Sequence, residues 1–382
     1  MVPALRRPPL RVWIWTAATV VLAVVAVLLW RGSDAAATSS STARAAPPVP
    51  GSPAATASQA WSVAAGPVPG AVVERNRVVV GSAHGVAALD PRTGREAWHY
   101  TRANARLCGV TAVDDLALAV FEVPSDRHRC DQMVALSVDT GVRRWTRNVN
   151  LRTDATLIST PRTAVAVDPT GVVAIDPTGD NIRWRYQAPA GCRLSTVAGS
   201  AGIAVVQQCG DRAAQLRLLD AFSGSPRWTR DFPAGTAVRP VGADSLVSLV
   251  VGDSLQLYAG QDGVGRPAVA LPAGPDGVGE TGTDAAVLVE ARGTLFSLDP
   301  GTGGVRWQVP ATGLPGEPVR ATIGSATESV AVPEQGAFVL RDPVSGVEQG
   351  RATVSGVPGG GVATRVGDVV VLRLADRVIG YR

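Results

Sequence analysis

The stretch Ala88-Leu-Asp-Pro-Arg-Thr-Gly-Arg-Glu-Ala-Trp98 decides the fold, because it recurs along the chain. Aligned on its turn glycine and its indole, copies appear at Asp90, Gly94 and Trp98, then at Ser137, Gly141 and Trp145. They continue at Asp176 with Trp184, at Asp220, Gly224 and Trp228, and at Asp299, Gly303 and Trp307. Another copy has Asp342 and Gly346, with Gly350 in place of the Trp. Trp228 and Trp307 are 79 residues apart, about two periods. A degenerate copy is therefore expected at Leu255 to Gly263, with Pro267 in the Trp place. The other Trp spacings are 47, 39 and 44. A period near 40 marks a propeller or solenoid built from one repeated supersecondary unit.

The first copy shows what the unit is. Ala71 to Val73, Arg77 to Val80, Gly85 to Leu89 and Glu96 to Tyr100 read as four short Val-rich strands. Asp90 to Gly94 reads as a tight turn, with Pro and Gly setting its dihedrals and Asp and Thr bonding its backbone. Four antiparallel strands make one propeller blade.

The ends of the chain close the ring. Asp368 to Leu372 and Arg377 to Tyr381 resemble second and third strands, and Arg382 falls where the turn Asp belongs. Ala60 to Val63, with Trp61, resembles a fourth strand without a blade. Joined, the two ends complete an eighth blade. Residues 59–382, about 40 per blade over 324 residues, are thus expected to form an eight-bladed all-β propeller closed by both termini. Closure removes the exposed sheet edges of an open array.

Ahead of the repeats, Val12 to Trp30 is 19 residues without a charge. At roughly 1.5 Å per residue it spans about one bilayer core. Arg6, Arg7 and Arg11 precede it, so residues 1–11 are expected in the cytoplasm and the propeller outside. Trp13, Trp15 and Trp30 suit the headgroup region. The rival reading is a cleaved signal peptide with Ala35-Ala36-Ala37 as its site, for which the apolar run is long. No Cys follows the run to carry a lipid. Residues 31–58 are Ala, Ser, Thr and Pro, and are expected to be a disordered linker. The net charge of +4 is small, and no basic block interleaved with aromatics supports nucleic-acid binding.

The repeated phrase Ala-x-Asp-x-x-Thr-Gly-x-x-x-Trp resembles the tryptophan-docking motif of the pyrroloquinoline-quinone-type, or quinoprotein-like, propellers. The resemblance covers residues 59–382, and the first copy matches every motif position. It implies a structural role for Trp61, Trp98, Trp145, Trp184, Trp228 and Trp307, each stacking between adjacent blades with its turn Asp and Gly. The family includes quinone-dependent dehydrogenases and non-catalytic envelope proteins. Its enzymes use a base Asp, a calcium site, a Trp beneath the quinone and often an adjacent Cys pair. This chain has no adjacent Cys pair and no Asp-x-Asp-x-Asp loop. His84, His99 and His128 have no metal-ligand spacing, and no Gly-x-Ser-x-Gly elbow occurs. No catalytic residue, metal or cofactor is therefore expected.

Cys108 and Cys130 fall in blade 2, and Cys192 and Cys209 in blade 4. In each pair the first begins an innermost strand and the second follows the next strand, at the same rim. Two disulfides are expected, Cys108–Cys130 and Cys192–Cys209, in keeping with an exported domain. The loop from Val123 to Cys130 is a candidate partner site. The resulting expectation is a membrane-anchored binding or scaffold module for a protein or cell-envelope polymer. The alternatives are a quinone-dependent enzyme and an accessory or sensor subunit of an envelope complex.

Overall fold

The computed structural model describes residues 10–65, 72–122, 129–179, 181–274, 277–317 and 329–382. The candidate partner loop is mostly outside them, as is His128.

The repeats form eight sheets arranged as eight blades. Blade 1 takes Val72–Glu74, Arg77–Ser82, Gly85–Leu89 and Glu96–Arg102, from the channel outward. Blades 2 to 6 repeat this order, ending on Arg143–Leu151, Ile182–Gln187, Pro226–Ala234, Gly265–Ala270 and Val305–Pro310. In blade 7 the described strands are Val330–Glu334, Ala337–Arg341 and Glu348–Thr353. Ahead of it, Leu314–Pro315 pairs parallel with the innermost strand of blade 8, Val362–Val366.

Blade 8 is the seam. Gln59–Ala64 pairs antiparallel with Arg377–Tyr381, and Trp61 lies opposite Gly380. Ser58 and Arg382 exchange two backbone hydrogen bonds of 2.9 and 3.0 Å. Every blade thus finds neighbours on both sides.

A blade is a sheet with two apolar faces, and each face needs a partner. The burial follows: there are eight hydrophobic clusters, one at each junction. Junction 1–2 holds Val79, Trp98, Leu107 and Phe121. The seam junction 8–1 holds Trp61, Val78, Val366 and Val378. The stabilising area is shared around the ring, so no blade can bury its faces alone.

A long helix, α1 (Leu10–Arg31), precedes the disc. Its 22 residues are apolar enough to cross a membrane, and none is buried against the propeller. Residues 31–58 differ from the disordered linker expected from composition. A short helix, α2 (Asp34–Ala37), is capped by Ser33, and Thr38–Ser40 then adds a fifth strand to the outer edge of blade 1. The chain crosses the turn face of the disc. Ala43 N–H donates to Thr140 O and Ala46 N–H to Asp139 Oδ1 on blade 2, and Arg77 Nη2 donates to Arg44 O on blade 1. It reaches blade 8, where Arg365 Nη2 donates to Gly51 O and to Ser52 Oγ. It ends on blade 7, where Thr353 exchanges backbone bonds with Ala55 and Ala57. This strap is held by backbone and turn bonds, and its small residues let it lie flat. Composition predicts disorder only where such bonds are lacking.

The strap makes Arg44 an unusual protease site. Its side chain is exposed, but its carbonyl is engaged by Arg77. Limited trypsin digestion of the full chain is expected to spare the Arg44–Ala45 bond. Arg77→Gln is expected to open it, read by mass spectrometry of the fragments.

Candidate functional site

The repeated phrase builds the same dock six times. Each indole N–H donates to one carbonyl of the next blade, that of the residue after the turn Asp position. Trp61 bonds Pro91 O at 2.8 Å, Trp98 bonds Val138 O at 2.8 Å and Trp145 bonds Pro177 O at 2.7 Å. Trp184 bonds Ala221 O at 3.2 Å, Trp228 bonds Gly260 O at 3.1 Å and Trp307 bonds Pro343 O at 3.1 Å. A buried indole N–H without a partner would cost free energy, so the bond fixes where the ring sits. The turn glycine lies flat against the ring. A Cβ on Gly94 would come within 2.6 Å of Trp61, and its φ of +66° disfavours any side chain. Gly141, Gly224 and Gly346 stand the same way against Trp98, Trp184 and Trp307.

The turn carboxylates shape these turns. Asp90 Oδ1 accepts from the backbone of Arg92 and Thr93 and from the Thr93 hydroxyl. Asp176, Asp220, Asp299 and Asp342 repeat the pattern. The other oxygen of three of them pairs with the Arg just before the Trp: Arg183, Arg227 and Arg306. These donors hold the carboxyls of Asp220 and Asp299 at about 2.

Blade 5 departs from the chain count. Strand register puts Arg266, not Pro267, in the Trp place, opposite Leu257. The bulge that precedes the Trp in blades 1 and 6 is absent between Tyr258–Gly265 and Leu257–Arg266, which moves the side chain by one residue. The Arg266 stem packs on Gly303, where the other docks have a ring. In blade 7, Gly350 lies opposite Leu340, and there Phe338 and Tyr381 pack across junction 7–8 with centroids 5.0 Å apart.

Two carboxylates on innermost strands escaped the sequence reading, because a lone Glu in a strand carries no motif. Glu280 accepts from the Asp244 backbone N–H and meets the Ser248 hydroxyl. Burial, and then the Asp244 carboxylate, push its pKa up to about 8. Glu74 is raised to about 7, chiefly by burial.

The cysteines form Cys108–Cys130 and Cys192–Cys209 disulfides. Cys130 opens the third strand of blade 2 instead of following the second, because residues 123–129 intervene. His84 Nδ1 meets Ala105 O, and His99 sits between Glu96 and strap residue Ser41. Among the described residues no three His, Cys, Asp or Glu converge on a metal position. The fit to a quinone is poor. Three of the nine Trp lie in α1 and six in the docks, so no indole is left to floor a quinone. No two Cys are adjacent in the chain.

Trp98 is fully buried, so Trp98→Ala is expected to lower the free energy of unfolding by about 3–5 kcal/mol, measured by urea titration. The pH response has two signs. The depressed Asp220 and Asp299 add stability above their ordinary 3.8, and it is lost as pH falls toward about 2. The raised Glu280 and Glu74 keep their protons in the fold, so their contribution is present below 4.5 and is lost as pH rises to about 7–8. The melting temperature is therefore expected to fall between about pH 5 and about pH 8. Glu280→Gln is expected to flatten that fall, followed by circular dichroism.

The family model described as "Outer membrane protein assembly factor BamB" matches residues 40–190 and 168–377. A comparison with curated proteins finds no match. Among solved structures, BamB from Moraxella catarrhalis is 17% identical, with a TM-score of 0.50 over 86% of this chain and 100% of that one. The computationally designed Ika8 protein gives 0.53 at 12% identity, over 85% of this chain and 98% of that one. Quinohemoprotein alcohol dehydrogenase ADHIIG from Pseudomonas putida HK5 gives 0.50 at 13% identity, over 85% and 76%. At these identities the structural likeness concerns the fold. The family model spans most of the chain and all eight blades, so the chain belongs to the outer membrane protein assembly factor BamB family of pyrroloquinoline-quinone-type propeller repeats.

Proposed function

We propose that this protein is a single-pass membrane protein whose propeller acts outside the cytoplasmic membrane as a scaffold or accessory subunit of an envelope complex. The observation that carries the reading is the strap. It ties the apolar helix to a closed disc, with Asp34 of α2 pairing at 2.7 Å with Arg102, a guanidinium only 1% exposed. Cleavage after Ala37 would remove Asp34 and leave that buried charge without its carboxylate, an arrangement that destabilises folds strongly. This supports an anchor that is retained, with Arg11 and the preceding arginines on the cytoplasmic side and the disulfides in an oxidising compartment. A disc held this close to its anchor presents fixed surfaces to a neighbour, as a scaffold must. The partner class is a protein, with an envelope polymer as the alternative.

The likeness to a quinohemoprotein dehydrogenase favours a second reading, a quinone-dependent enzyme. The commitment of all six propeller indoles to docks weighs against it. Crosslinking in intact cells, followed by mass spectrometry, is expected to capture the same envelope protein on wild type and to lose it when α1 and the strap are deleted. Dye reduction by the purified chain supplied with pyrroloquinoline quinone and calcium would instead establish the enzyme.

A further inference from the structure

Two docks lack an indole, and the structure treats them differently. At junction 7–8, Ala57 of the strap joins Phe338 and Tyr381 in the apolar cluster. At junction 5–6 the Arg266 stem takes the ring's place on Gly303, and a cavity of about 460 Å³ opens on the turn face beside it. Its walls come from turns of blades 4, 5 and 6, with Arg266, Ser200, Ser245, Gln261 and Pro300 facing it. The strap crosses blades 1, 2, 7 and 8 and leaves this sector uncovered.

The chemistry of the wall is specific. Pro300 follows Asp299, so its carbonyl is the counterpart of the six that accept an indole. Arg266 stands in the ring's place and lines the cavity, and among the described residues no carboxylate pairs with it. The second guanidinium, Arg227, is already paired to Asp220. The terminal Nη1 and Nη2 edge of an unpaired guanidinium matches one carboxylate, through two parallel hydrogen bonds. The hydroxyls of Ser200 and Ser245 and the amide of Gln261 both donate and accept, which suits neutral hydroxyl groups. Asp262 in the wall accepts hydroxyls too and opposes a second negative charge on the ligand. Ala201, Ala259 and Pro300 add apolar groups to the lining, of the kind a sugar ring's C–H face can cover. The volume lies in the range of small-ligand pockets, roughly 300–1,000 Å³.

We propose that the cavity beside the Arg266 dock between blades 5 and 6 binds an acidic sugar, with Arg266 holding its carboxylate and Ser200, Ser245 and Gln261 its hydroxyls. The site is independent of which macromolecule the disc engages. It needs no chemical step.

Saturation-transfer NMR on the full chain in detergent micelles tests it, using galacturonate, galactose, inorganic phosphate and trigalacturonate. Galacturonate is expected to bind, with galactose and phosphate each weaker by about tenfold or more, the usual worth of one charge-assisted contact. Trigalacturonate binding more tightly assigns the end of an acidic polymer, and equal binding assigns the free sugar acid. Arg266→Gln is expected to abolish the galacturonate signal. Arg266→Trp is expected to do the same by filling the dock, with an unchanged or higher melting temperature, so that loss of binding is separated from loss of fold. Phosphate binding as well as galacturonate, no binding of galacturonate, or galacturonate binding that survives both variants would overturn the proposal.

Discussion

One contact governs the disc: an indole N–H reaching the turn carbonyl of the next blade, with a glycine flat beneath the ring. The three parts depend on one another. The ring fits because Gly94 has no Cβ, and the turn places that glycine because Asp90 gathers its backbone N–H groups. The carbonyl of Pro91 is aimed because the turn is formed. Remove any part and the ring loses either its floor or its polar partner. Since each junction has its own apolar cluster, this contact orients blades that the hydrophobic effect alone would hold without a fixed angle.

That coupling explains what could be read in the chain. Trp98, Asp90 and Gly94 must stand at fixed spacing, so the blade period and the seam at Trp61 and Arg382 are visible as spacing alone. The disulfides were legible for a related reason: each pair lies at one rim of one blade. The strap was not legible. Its residues bury almost no large side chain, and its bonds run from backbone to turns that are distant in sequence, such as Ala46 to Asp139. Hydrophobic patterning reports apolar faces and is blind to such a segment. The place of Arg266 was missed by one residue because a missing bulge shifts register without changing the composition. Glu280 was missed because its burial is made by blade 5, through Gly242 and Ser248.

The strap changes how the helix and the disc relate. A free tether of this length would let the propeller turn in any direction, and its ends would be set only by chain statistics. Here six residues separate Arg31 from Thr38, and Asp34 among them is paired to Arg102 of blade 1. His99, Ser39 and Ser41 knit the same edge, so the strand that leaves the helix also covers an outer strand that would otherwise be open. The placing of the apolar helix and the protection of the edge are thus one feature of the chain.

The uneven docks carry the last step. A repeat under no demand except closure has no reason to differ between junctions, and six of these junctions share one indole bond. At junction 7–8 the loss of the indole coincides with other apolar groups that fill the space, so the packing requirement is met by different atoms. At junction 5–6 the replacement is a charged side chain with an unpartnered nitrogen beside open volume. A buried donor left unsatisfied destabilises a fold, and a ring in its place would both pack and bond. The structure therefore carries at this junction a charged side chain beside open volume, where its own repeat places a packed ring. Such an exchange is expected where a polar group is kept ready for a ligand, and not where closure is the only task.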